Sequence, residues 1–198
     1  METKEIRQEL NHIREEFKAN QSRLSLAPDG AAEDNELETR LDRIVAALQE
    51  LRPRTQPELE QRQRLQAMAS GLHLRNGSLD RSHELSQHLD TQEGSYLHGL
   101  MHRMEGDFSN ANYWFRLAGP HPQAKELQRL AVELAEGTPG ADNTLLRKLK
   151  REPFWNAALF TDLAAASSLT GHRSQDTPLL EKLQSFELEL LLEHLDLG

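Results

Sequence analysis

The sequence predicts an all-α fold: helical hairpins capped by flanking helices, preceded by an N-terminal coiled-coil-like helix pair. Three observations carry this. Apolar residues recur at helical spacing along almost the whole chain, no stretch alternates in the manner of a half-buried strand, and residues 98 to 115, HGLMHRMEGDFSNANYWF, read as helix, tight turn and helix. In that stretch Gly106-Asp107 ends one helical pattern and opens the next, and the small residues Gly99, Ala111 and Ala118 let two antiparallel helices approach closely.

Each element has its own signal. Ile6, Leu10, Ile13 and Phe17 form one narrow stripe, and Leu37, Leu41, Ile44, Leu48 and Leu51 form a second, after a loop containing Pro28-Asp29-Gly30 and a capping box from Asn35 to Glu38. Two such stripes zip against each other as a hairpin or against a second copy of the chain, so a homodimer through the N-terminal helices is the alternative to intramolecular packing, which the few heptads favour. Arg52-Pro53-Arg54 interrupts the pattern and divides the chain into a helix pair, 1–53, and a helical domain, 54–198.

A second capping box, Thr55 to Glu58, opens a helix with Leu59, Leu65, Met68, Ala69 and Leu72 that ends near Asn76-Gly77, and a shorter helix runs from Leu79 to about Leu89. The turns at Gly77 and Gly106 each lead from a longer helix into a shorter one. Two such units are too few for a free-standing solenoid, so helices near 124–136, 145–150 and 154–169 and a C-terminal helix must cap them. Loops are marked by Gly137-Thr138-Pro139-Gly140 and by the polar run 170–177, and Pro178 suits the first turn of the last helix. That helix carries Leu179, Leu180, Leu183, Phe186, Leu190, Leu191 and Leu195, a stripe wide enough to require docking. Eight of the ten aromatic residues fall between Tyr96 and Phe160, where the densest packing is expected.

Composition narrows the function classes. A net charge of −9 argues against a phosphate-tracking surface, so nucleic acid is not an expected partner. The basic run Arg147-Lys148-Leu149-Lys150-Arg151 reads as a solvated helix end, with an acidic partner as the alternative. The absence of cysteine excludes disulfides, thiolate nucleophiles and cysteine-held metals. The charged N-terminus is unlike a signal peptide and no window is apolar enough for a membrane span, so a cytoplasmic protein without membrane contact is expected. No P-loop, dinucleotide glycine pattern or G-x-S-x-G elbow is present.

Residues 95–122 resemble a single tetratricopeptide repeat: Gly99, Gly106-Asp107-Phe108, Ala111, Phe115 and Ala118 fall in the order and spacing of that repeat's small and aromatic positions. Residues around Gly77 and Leu79 fit more loosely, with Ser82 at the small position. His98 to Phe115, Pro153-Phe154-Trp155 through Phe160-Thr161-Asp162-Leu163, and the segment from Phe186 to Leu191 also resemble a group of bacterial and fungal proteins of no established activity. The resemblance implies tetratricopeptide-like hairpins and, by analogy of fold, a binding scaffold; it implies no reaction. His98 and His102 depart from the repeat, which has a leucine and a tyrosine there.

On a helix His98, His102 and Glu105 fall within an arc of about 60°, a set able to hold a divalent metal, with Asp107 or His121 to complete it. The sequence between the histidines lacks the glutamate of an HExxH zinc protease. A hydrogen-bonded structural cluster and a ligand-facing patch are the other two readings. Arg103, Glu105, Asp107, Asn110, Tyr113, Arg116 and His121 crowd the same turn with polar groups. Asp107 is suited to cap the helix from Phe108, and Arg103 and Arg116 to pair with carboxylates or to face a groove and bind an anionic group. Trp114 shares a face with Phe108, Ala111, Phe115 and Ala118 and is expected in the core. The leading expectation is a non-catalytic protein that binds a peptide or protein partner near 98–121; a metal-binding protein or small metal enzyme using His98, His102 and Glu105, and a purely structural motif, are the alternatives.

Overall fold

A computed structural model describes residues 1–19, 24–138, 143–169 and 176–196, with the side chains of 143–146 and 169 excepted. Among these residues there are ten helices and no strand. The first two are α1 (Thr3–Ala19) and α2 (Asn35–Glu50), and both expected stripes are buried inside the chain, with Leu51 at the half-buried end of the second. The N-cap of α2 is Asp34, one residue before the expected Asn35: its carboxylate accepts from the Glu36 and Leu37 amides at 2.9 and 3.0 Å. Arg40 ties α2 to Glu9 and Glu16 of α1 at 2.8 Å each.

Helix α3 (Gln56–Arg75) is the axis of this half of the molecule. Every residue from Ala67 to Leu74 is buried, because α1, α2, α4 (Leu79–Ser86), α5 (Gln92–Glu105) and α10 (Thr177–Asp196) all pack on it. Thr55 caps it as expected, accepting from the Glu58 amide, while the Glu58 carboxylate accepts from the Arg54 amide. At its far end the fully buried Asn76 does what its place in a turn did not announce. Its side chain accepts from the Asp34 amide and donates to the Asp34 carbonyl, both at 3.0 Å, and so clasps the entrance of α2.

The hairpin of α5 and α6 (Phe108–Ala118) matches the expected helix, turn and helix. Gly106 takes a left-handed φ of 91°, and Asp107 caps α6 by accepting from the Asn110 amide. A methyl group added at Gly99 would lie 2.9 Å from the Phe115 ring, so the small residue is what allows the two helices to touch. Helices α7 (Ala124–Gly137), α8 (Asn143–Arg151) and α9 (Ala157–Leu169) follow. In the basic run of α8, Lys148, Lys150 and Arg151 are exposed and Lys150 pairs with Glu136. Pro139, Gly140 and residues 170–175 of the expected loops lie outside the described residues.

Helix α10 docks as its apolar stripe requires and joins two apolar clusters. Leu179, Leu180 and Leu183 belong to one with Leu127, Trp155 and Phe160; Leu188, Leu191, Leu192 and Leu195 belong to the other, built on α1 to α6. Phe186 and Leu190 are only half-buried. The aromatic-rich region is not uniformly internal either: Tyr113 and Phe154 are 54% and 47% exposed, and Trp114 is half-buried instead of in the core. No helix among the described residues is long and apolar enough to cross a membrane.

His73, on the buried part of α3, has no hydrogen-bond partner for either ring nitrogen, and burial pushes its pKa down to about 4. Unfolding restores the ordinary value near 6.5, so the unfolded chain binds the extra proton between those two pH values. This contribution to stability is complete above pH 6.5 and is lost as pH falls toward 4. Urea unfolding across that window is expected to show His73→Phe losing roughly 3 kcal/mol less than the parent chain, and identical pH dependence in the two would refute the assignment.

Candidate functional site

Helix α5 is buried on several sides, and two of its faces carry polar chemistry. Tyr96 and Arg103, seven residues apart, share the face toward α10. There the Glu187 carboxylate, with no solvent exposure, accepts from Tyr96 Oη at 2.6 Å, from Trp155 Nε1 at 2.8 Å and from Arg103 Nη2 in a close ion pair. Arg103 Nε donates to Gln184 Oε1 at 3.0 Å, and its guanidinium carbon lies 4.6 Å from the Phe160 ring centre. His121 joins the same node from the loop before α7: Nε2 donates to the Glu187 carbonyl at 3.1 Å and Nδ1 accepts from the Gln123 amide. Burial, first, and the adjacent Glu187 raise the Tyr96 pKa well above 10, so its hydroxyl stays a donor.

The other polar face presents His98 and His102. Helix α4 packs against α5, drawn to α3 by the Ser70–Ser82 hydroxyl contact at 2.9 Å, and brings His83 to the same place. One ligating nitrogen from each of His83, His98 and His102 can be chosen so that all lie within 4.8 Å of one another. The His98 ring stacks on Trp114 of α6 at 4.0 Å between centres and on His102 at 4.7 Å, while His83 meets both imidazoles edge-on.

Hydrogen bonding orients His102 and leaves one nitrogen of His98 without a partner. His102 Nδ1 donates to Glu105 Oε2 at 3.1 Å, which leaves Nε2 as the acceptor of Asn110 Nδ2 at 3.0 Å. His98 Nδ1 is buried and has no partner. Burial, then the neighbouring His102 and His83, lower the His98 pKa to about 4 and keep it neutral at physiological pH. A neutral imidazole has the lone pair that a metal requires. Zinc–nitrogen bonds of about 2.0–2.1 Å put tetrahedral ligand atoms about 3.4 Å apart, so closing this set around an ion takes side-chain adjustments of roughly an ångström, small enough for rotamer changes.

The expected site residues therefore separate. His98 and His102 belong together, but the third donor is His83, which no spacing in the sequence links to them; only the packing of α4 on α5 does. Glu105 accepts from His102 Nδ1 and is not one of the three side chains whose donor atoms converge. Asn110 closes the other side of His102, Asp107 is spent on capping, and Tyr113 and Arg116 are exposed on α6. Arg103 and His121 face Glu187, so no groove combines Arg103 with Arg116. Glu187 carried no recognisable signal: it is one of four glutamates in a leucine-rich helix, and such residues read as solvent-facing. A scan against models of known families and searches of curated proteins and of solved structures find no match to this chain.

Removing one member of the buried pair leaves the other charged and unpaired. Glu187→Gln is expected to destabilise the fold by about 3–5 kcal/mol, measured by urea unfolding, and Arg103→Met combined with Glu187→Leu to recover most of that loss. Additive losses in the double variant would show that the two side chains are not coupled.

Proposed function

We propose that this protein binds one divalent transition-metal ion through His83, His98 and His102, within tetratricopeptide-like hairpins that serve as its scaffold. The observation that carries the reading is the convergence of three imidazoles from two helices, two of them buried and one of those with an unpartnered ring nitrogen. Their nitrogen donors suit zinc, iron, nickel or copper better than calcium or magnesium, which prefer oxygen. Asn110 is the group displaced when His102 Nε2 turns to the ion, and Glu105 holds that ring in the required tautomer. Three protein ligands leave a coordination position open, the arrangement of metal centres that bind a further molecule.

A second reading, a protein or peptide surface, rests on the outer face of α6, where Tyr113 and Leu117 are exposed beside Arg116. It does not draw on Arg103 or His121, and it gives the N-terminal stripes no role in a homodimer, since both are consumed in the chain's own core.

The test is metal content after equilibrium dialysis of the full chain against zinc, nickel or manganese, read by inductively coupled plasma mass spectrometry. Near-stoichiometric zinc or nickel is expected, with affinity reduced about 10- to 100-fold in Glu105→Gln and more in His83→Ala. Trp114, stacked on His98, supplies a fluorescence readout with Trp114→Phe as the control. Sub-stoichiometric binding by the parent chain, or binding by His83→Ala that equals it, would overturn the proposal.

A further inference from the structure

A second feature lies on the opposite side of α4 and shares no residue with the imidazole cluster. Between α2 and α4, with α3 as the floor, is a groove of about 350 Å³. Such a volume is more than ten times that of one water, about 30 Å³ in the liquid, and falls in the range of clefts for small ligands, roughly 300–1,000 Å³.

Its lining is asymmetric in charge. Asp42 and Glu84 contribute two carboxylates and Arg81 one guanidinium, which is already committed: it donates to Asp42 Oδ2 at 3.1 Å and lies 3.8 Å from Glu84. The excess of fixed charge is negative, with His88 as the other titratable side chain of the lining, so the groove favours a cation over an anion. At the floor sits His73, 1% exposed, with neither ring nitrogen hydrogen-bonded. Its Nε2 is 4.0 Å from Asp42 Oδ1, too far for a direct hydrogen bond. A buried polar group left in this condition costs its full desolvation, and a donor placed between the two acceptors would relieve it. A nitrogen about 2.9 Å from each atom spans a gap of that size, and because His73 Nε2 is closed to solvent it reaches that position with local movement of the half-exposed Asp42 side chain. Val45 and Leu85 supply apolar walls beside it. Among the described residues three donor atoms suited to a metal gather at the histidine cluster and not here.

We infer that the groove binds a small aliphatic amine, its ammonium group bridging His73 Nε2 and Asp42 Oδ1 and its methylene chain lying on Val45 and Leu85. Burial keeps His73 neutral and so able to accept from the ammonium, and the Asp42 carboxylate selects a cation over a neutral isostere.

The experiment uses the full chain in the presence of EDTA, which makes its outcome independent of the metal reading. 1,4-Diaminobutane, its neutral isostere 1,4-butanediol and the dianion succinate are titrated separately, with isothermal calorimetry and the imidazole nitrogen–proton resonances of His73 as readouts. The diamine is expected to bind and shift the His73 signals, and the diol and succinate to leave them in place. Asp42→Asn, at a partly exposed helix position that tolerates the change, is expected to weaken diamine binding about tenfold or more. His73→Phe, confirmed as folded by circular dichroism, is expected to abolish it. No shift with any of the three compounds, equal binding of diol and diamine, preference for succinate, or full affinity in Asp42→Asn would each overturn the inference.

Discussion

The ion pair between Arg103 and Glu187 is the constraint on which the rest of this structure depends. Both side chains are wholly removed from solvent, a condition that costs several kcal/mol per ion and is tolerable only with close geometry and additional hydrogen bonds. Tyr96, Trp155 and Gln184 provide those bonds. Because the partners come from α5, α10 and the segment before α9, satisfying one carboxylate fixes three parts of the chain relative to one another. Glu187 also lies on α10 between the leucines of one apolar cluster and those of the other, so the polar node sits where the two cores meet. Its role is better described as setting position than as adding net stability, since apolar side chains of the same volume could fill that space at lower desolvation cost.

Positioning α5 in this way determines what its other face can do. His98 and His102 are one turn apart, and Arg103 follows directly after His102, so the pairing that anchors the helix also fixes the rotation at which the imidazoles emerge. The close contact of Gly99 with Phe115 sets the distance to α6, and with it the stacking of Trp114 on His98. The imidazole cluster is consequently built on helices with defined rotamers and supporting hydrogen bonds, the condition under which a set of ligands retains its geometry. His83 is the more exposed member and arrives on a short helix, which makes α4 the element through which the site can adjust.

Helix α4 has a second consequence. One face sends His83 toward α5, and another sends Arg81, Glu84 and Leu85 toward α2, so two differently charged environments lie on either side of eight residues. The imidazole cluster is bordered by an aromatic ring; the groove carries an excess of carboxylates with a buried, unpartnered imidazole at its base. The two His residues with pKa values near 4, His98 and His73, belong one to each, and desolvation is the main cause in both.

The amino-acid sequence by itself determined the helical class, most of the helix limits and the hairpin at Gly106-Asp107, because these follow from local causes: apolar periodicity, capping side chains and a left-handed glycine. It also determined that His98 and His102 share a face and that α10 must dock. The tertiary structure alone decided that His83 converges with them while Glu105 bonds only His102, that Arg103 pairs with a carboxylate 84 residues away, and that Asn76 clasps the start of α2. It also left Trp114 half-buried against an imidazole, where helical spacing had assigned it to the core. The physical reason is common to all four. Periodicity shows which side of a helix is covered, but the identity of what covers it depends on crossing angles and on which helices become neighbours, and no residue within a turn or two carries that information.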